Sequence, residues 1–260
     1  MSYPAHVTDA AYRYDGSFKG FLCCVFESYA NREIPSAVLP PDQGQLTLFG
    51  VKEIATDPAR AQRVARGLDR LGGDAKDCVT TGFLSQQQEK DLILLRFVRR
   101  CFAYGPGATQ MLGDPDVAAA FEVQRSVNNE AGKLIEFLRF EQRGTMLGAV
   151  IHPKNRVLPL LRAHFCSRLP DEDFLIFDAT HGVAMLRQNR AVQYLPMERY
   201  EPEPDAAELD WQTLWKRFFK ALTIEERRNA KCQMNHVQKR FWQDMCEMQP
   251  DFARAKGAGV

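Results

Sequence analysis

FEQRGTMLGAVIHP, residues 140–153, is where the chain changes period. Just before it, Leu134, Ile135 and Leu138 fall on one helical face and Lys133, Glu136 and Arg139 on the other. Within it the pattern turns to that of a strand. Gly148 marks a place where the backbone bulges or is closely approached, and His152-Pro153 closes the segment. Asn155 then starts a helix, VLPLLRAHFCSRLP, ended by Pro170. Residues 173–193 alternate around a turn at Thr180-His181-Gly182 and predict a hairpin or meander. Residues 140–195 therefore read as a β-α-β-β antiparallel sheet unit with a helix on one face. With a helical middle before it and a basic helical pair after it, the fold class is α+β.

Towards the N-terminus the signals are local. Asp15-Gly16 is a turn, Ser17 a helix cap, and Phe18, Phe21, Leu22, Val25, Phe26 and Tyr29 repeat at helical spacing. Residues 46–55 predict a strand pair or one strand bent at Gly50. Thr56 or Asp57 before Pro58 opens a helix that stops at Gly72-Gly73, with Arg60, Arg63, Arg66 and Arg70 along one edge. That edge reads as a solvated face, with a second phosphate-contacting surface as the alternative. Residues 85–103 are helical, and Asp116 opens another helix that a break near Asn128-Asn129 would interrupt.

Towards the C-terminus, residues 196–210 are acidic and proline-rich and read as a linker. The stretch 211–242, WQTLWKRFFKALTIEERRNAKCQMNHVQKRFW, follows. Trp211, Leu214, Trp215, Phe218, Phe219 and Leu222 form an amphipathic stripe, with Lys216, Arg217 and Lys220 opposite. Thr223 with Glu226 predicts a capping box for a second helix. Eight basic residues against Glu225 and Glu226 leave six positive charges here, in a chain whose net charge is only +1. Basic residues interleaved with aromatics suit a phosphate backbone and stacked bases. The plainer reading is a helical pair with a buried aromatic face and a solvated basic one. The tail 250–260 is expected to be disordered.

Length, 260 residues, allows one large domain or two small ones. Apolar and charged fractions of 45% and 26% are those of a soluble globular protein. No apolar run approaches a membrane span, and the first residues lack the basic start and apolar core of a signal peptide, so a cytoplasmic location is expected. Seven irregularly spaced cysteines without a CxxC pair favour reduced, mostly buried thiols over a disulfide framework or a metal site. No cofactor is implied.

Catalytic signatures are sparse. The phosphate-loop, nucleophile-elbow, HExxH and GxGxxG patterns are missing, as are the motifs of uracil-DNA glycosylases, helix-hairpin-helix glycosylases and zinc deaminases. A loose group persists: His152, His164, Asp178 and His181. His152, Asp178 and His181 sit at predicted strand ends, where proton transfer or phosphodiester hydrolysis is conceivable; turn and surface histidines are the plainer account.

Four stretches together carry a resemblance: YRYDGSFKGFLCCVFESY (12–29), EAGKLIEFLRFEQRG (130–144), AVIHPKNRVLPLLRAHFCSRLPDEDFLIFDATHGVAML (149–186) and LWKRFFKALTIEERRNAKCQMNHVQKRFW (214–242). The chain resembles a bacterial family assigned to DNA metabolism and DNA repair and built on a domain of unknown function. Its members are typically encoded beside a radical SAM protein with a helix-hairpin-helix element, and some are fused to a uracil-DNA glycosylase-like domain. Gln238 departs from the proline usual there. The resemblance implies a single domain over 1–249, with an α/β part (1–80), a helical part (81–139), the sheet unit (140–195) and the helical pair (206–249). It also implies DNA and a radical SAM protein as partners, with any iron–sulfur cluster on that partner. On this reading the chain is a DNA-associated accessory protein. Arg227, Arg228, Lys231, Lys239 and Arg240 would contact phosphates, and Trp242 or Phe241 would stack on a base or brace the helices. Arg139 and His152 are candidates for a pocket at the sheet end. Two alternatives stand beside it: a DNA-acting enzyme using His152, Asp178 and His181, and a module that docks on the partner through the aromatic stripe.

Overall fold

The computed structural model describes residues 6–41, 50–200, 206–224 and 229–249. The chain forms two compact units, Met1–Asn128 and Asn129–Val260, in an α+β arrangement.

In the first unit, β1 (His6–Val7) pairs with β3 (Glu33–Ile34), and β2 (Ala11–Arg13) lies parallel between β4 (Ala37–Leu39) and β5 (Val51–Glu53). The helix α1 (Phe18–Ala30) starts where expected: the Ser17 hydroxyl accepts from the Gly20 N–H at 3.0 Å. Asp15 braces that turn, accepting from Ser17 and, at 2.7 Å, from Thr56 Oγ1. Burial opposes its ionisation, but those hydrogen bonds outweigh it and hold the carboxyl below its usual value. Asp57 caps α2 (Pro58–Leu71), and α3 (Gly73–Phe83) and α4 (Lys90–Tyr104) follow. Phe21, Val25, Val64, Leu95, Phe97 and their neighbours make one core. Four of the seven cysteines, Cys23, Cys24, Cys78 and Cys101, are buried there as free thiols. Of the strand expected over 46–55, residues 46–49 lie outside the described residues, and Val51–Glu53 form β5.

Asp114 accepts from the N–H groups of Asp116 and Val117 and so caps α5 (Pro115–Phe137), two residues before the expected Asp116. The predicted break at Asn128-Asn129 does not occur. Two asparagines cost a helix only about 0.5 kcal/mol each, and the buried Val127, Ala131 and Leu134 on either side offset that.

In the second unit, β6 (Glu141–Arg143), β7 (Met146–Ile151), β8 (Phe174–Asp178), β9 (Val183–Gln188) and β10 (Ala191–Pro196) form one sheet in the order 10-9-8-7-6. Three pairings are antiparallel as expected, but β7 and β8 are parallel. The reason is α6 (Leu158–Arg168), a crossover that returns the chain to the starting end of the sheet. Asn189 and Arg190, both at positive φ, make the tight turn from β9 to β10. One sheet face buries Phe174, Ile176 and Met185, and Phe140 joins Phe165 of α6 to Phe174 at 5.3 and 5.6 Å. The other face carries Leu175, Phe177 and Ala184, with Met146, Val150 and Tyr200 packed on them.

After the sheet come α7 (Ala206–Leu222) and α8 (Ala230–His236). The expected linker is thus helical from Ala206; residues 201–205 of it lie outside the described residues, as do Glu226 and the tail 250–260. Asn229, not Thr223, caps α8, accepting from the Cys232 N–H at 3.0 Å. Thr223 instead donates back to the Phe219 carbonyl at 2.8 Å, the i−4 bond open to a threonine in a last turn.

Glu130, on α5, ties three parts of this unit. Its buried carboxylate accepts from the Lys154 and Asn155 N–H groups at 2.9 and 2.8 Å and from Asn155 Nδ2 at 2.7 Å. Arg240 Nη1 lies 2.7 Å away. Glu130→Ala would take this acceptor from a guanidinium and three amide groups, costing about 3 kcal/mol. All three tryptophans lie in this unit, so urea unfolding followed by indole fluorescence reads the loss, and Glu130→Gln should recover part of it.

Candidate functional site

The sheet edge and α7 are joined by polar groups. Glu208 Oε2 accepts from the Gln142 N–H at 2.9 Å. Gln212, buried on α7, donates to Glu208 and to Glu141 at 3.1 Å each. Glu141 also pairs with Arg143. Between the β6–β7 end of the sheet, Tyr200, α7 and residues 244–249 lies a cleft of about 660 Å³, within the range of small-molecule sites.

Each wall has a local cause. A Cβ at residue 148 would stand 2.0 Å from the Tyr200 hydroxyl; Gly148 is there because a phenol approaches the strand. Trp211, Trp215 and Phe140 supply aromatic surface, and the Arg139 guanidinium sits 5.3 Å from the Trp215 ring. Arg139 Nη2 also reaches Glu247 at 3.2 Å.

Several polar atoms here are buried and make no hydrogen bond among the described residues: Arg143 Nε and Nη1, Arg139 Nε, the Tyr200 hydroxyl and, on the acceptor side, Asp244 Oδ2. Such orphans are rare in folded proteins. Burial pushes Tyr200 up against the pull of Arg143, so its hydroxyl keeps its proton and can donate. Burial likewise pushes the Cys246 thiol up to about 11, which makes it a poor nucleophile at neutral pH. Among the described residues no group of three or more His, Cys, Asp or Glu side chains is placed to hold a metal.

The residues singled out in the sequence divide. Arg139 and His152 line the cleft together. His152 Nδ1 lies 2.8 Å from Asp244 Oδ1. Asp178 and His181 are elsewhere: Ile151, not His152, is the cross-strand partner of Asp178, and alternation along a strand sends neighbours to opposite faces. Asp178 Oδ1 accepts from the Thr180 and His181 N–H groups at 3.1 Å, and Oδ2 meets His181 Nδ1 at 2.6 Å, so the pair braces the β8–β9 turn. His164 packs its ring 4.9 Å from Phe165.

The predicted phosphate contacts are also split. Lys231 and Lys239 are exposed, whereas Arg240 is committed to Glu130. Phe241 is buried, and the half-buried Trp242 donates from Nε1 to the Val237 carbonyl at 2.9 Å, bracing the segment. Arg227 and Arg228 lie outside the described residues. The aromatic face of α7 is not buried: Trp211, Leu214, Phe218 and Leu222 are 69%, 53%, 54% and 64% exposed. The cleft's Arg143, Tyr200 and Asp244 had no sequence signal beyond the close approach marked by Gly148.

The fold and the cleft define a two-unit α+β protein with a polar, aromatic-walled site in its second unit. A family model described as a domain of unknown function, DUF4130, matches residues 88–247, and the chain belongs to that family. No curated protein and no solved structure matches the chain. No helix among the described residues is long and apolar enough to cross a membrane.

The His152–Asp244 pair sets a pH dependence. Burial pushes the Asp244 carboxyl up, and its bond to His152 works against that shift. A carboxyl raised in the fold resists ionisation there, so removing its opposing partner costs most where the carboxylate must be charged. His152→Ala should lose little stability below the ordinary carboxylate range. The loss should grow as pH rises through that range, to about 1–3 kcal/mol near neutrality. Urea unfolding of both proteins between acid and neutral pH checks this.

Proposed function

We propose that this protein binds DNA through its second unit, as an accessory factor in DNA repair or base modification, and works with a radical SAM partner. The observation that carries the reading is the open face of α7. Exposed Trp211, Trp215 and Phe218 share a helix with Lys216, Arg217 and Lys220, and the indoles continue into the cleft wall. Exposed, contiguous aromatic patches mark interaction sites. Aromatics that stack on bases beside cations that track phosphates are the means by which proteins hold single strands. The exposed Lys231 and Lys239 extend the cationic surface. The family resemblance supplies DNA and the radical SAM protein as the partners.

A second reading, an enzyme acting on DNA, draws on one observation: His152, oriented by Asp244, lines the cleft. An imidazole held at Nδ1 by a carboxylate suits general acid–base work at its other nitrogen.

Binding of the purified protein to single-stranded and duplex oligonucleotides across a salt series tests the leading reading. Affinity should fall steeply with salt, and Arg217→Ala/Lys220→Ala should reduce the log–log slope by about 1.5 to 2. Absence of binding by the unaltered protein would sink the DNA reading and favour a module that docks on the radical SAM protein through the same aromatic face.

A further inference from the structure

The charge balance of the cleft decides what class of ligand it takes. Arg139, Arg143 and Lys216 line it, and so do Glu141, Glu208 and Asp244: three cations face three carboxylates. Glu141 is already paired with Arg143, and Glu247 with Arg139. A phosphate entering here would meet as much repulsion as attraction and would have to displace carboxylates. The atoms left unpaired are of both kinds. Guanidinium N–H groups of Arg143 and Arg139 and the Tyr200 hydroxyl are donors, and Asp244 Oδ2 is an acceptor. Trp211, Trp215 and Phe140 offer flat apolar surface beside them.

We propose that the cleft is the receptor for a single uncharged nucleobase extruded from DNA. This inference rests on the DNA reading above and names what that site holds. The base lies against the indoles, its carbonyl and ring-nitrogen acceptors face Arg143, Arg139 and Tyr200, and its N–H groups face Asp244. Guanine, with two acceptors on one edge and donors on another, fits that distribution best. The backbone phosphates stay outside, on the exposed cations of α7. Extrusion costs a few kcal/mol, least at a mismatch or a damaged base, and the unpaired donors and acceptor of the cleft are what offsets it.

The test uses the full chain and three matched oligonucleotides, carrying at one mismatched position a fluorescent aminopurine, a guanine or an abasic site. The aminopurine emission should change as the base exchanges its neighbours in the strand for the indoles of the cleft, and the abasic strand should bind about tenfold more weakly than the guanine strand. Arg143→Gln should abolish that discrimination and leave the salt slope unchanged. Gly148→Ala, which pushes only the far end of the Tyr200 side chain aside, should reduce it severalfold and guards against a folding defect in the arginine variant. Equal binding of all three strands with unchanged emission would overturn the base receptor and leave the DNA reading standing. If no DNA binds at all, millimolar deoxyguanosine and inorganic phosphate decide the cleft alone. Saturable quenching of indole fluorescence by the nucleoside, lost in Arg143→Gln, upholds the cleft as a base site, while extrusion from DNA falls with the DNA reading. Quenching by phosphate alone, or by neither, refutes it.

Discussion

The Glu130 carboxylate is the point from which the second unit is built. A buried carboxylate is tolerable only when its oxygens are bonded, and Glu130 meets that condition with two segments far from it in sequence. From α5 it holds the N–H groups at the start of the β7–α6 connection and the guanidinium of Arg240. Those contacts fix where β7 ends, and so where His152 projects. They also fix the C-terminal segment whose Asp244 meets His152. A hydrogen bond between His152 and Asp244 and an ion pair between Arg139 and Glu247 fasten the same segment. The cleft wall formed by residues 244–249 is therefore held electrostatically, around a few packed residues such as Phe241 and Met245.

That mode of attachment explains why α7 is unusual. An amphipathic helix ordinarily turns its apolar stripe to the core. Here the only residue between Ala207 and Leu222 that is buried is Gln212, and the bonds to β6 are amide and carboxylate bonds. The polar side is occupied by the sheet edge, which leaves the aromatic side to solvent. The same sequence pattern that reads as core packing is thereby converted into a surface, and the conversion depends on Glu208, Gln212 and Glu141 rather than on the aromatics.

Much of the architecture was legible because it rests on short-range signals. The Ser17 cap, the Asp57-Pro58 helix start, the turn at Thr180 to Gly182 and the close approach at Gly148 each follow from one or two residues whose conformational preferences are strong. What was not legible is what depends on pairing at a distance. The parallel β7–β8 register follows from the crossover of α6. The separation of His152 from Asp178 follows from a single residue of offset across that pair. Asp244 lies ninety-two positions from His152, and Glu247 is more than a hundred from Arg139; nothing in spacing or periodicity announces either. Lys and Arg counts misled in the same way. Arg240 looks like its neighbours in sequence, yet it is consumed by Glu130.

The same distinction separates a site for a phosphate from a site for a base. By composition alone the C-terminal stretch is basic, and its arginines and lysines invite a phosphate reading throughout. The fold sorts them. Cations that find no carboxylate partner among the described residues, such as Arg217 and Lys220, are exposed on α7, where screening makes them sensitive to salt and indifferent to sequence. Arg240 is neutralised by Glu130, as Arg139 and Arg143 of the cleft are by Glu247 and Glu141, since an unpaired charge there would cost more than it returned. What survives inside is direction without net charge: hydrogen-bonding atoms fixed in place beside flat rings. Such a surface discriminates among uncharged planar ligands by the penalty it exacts when its own buried donors are left unmatched.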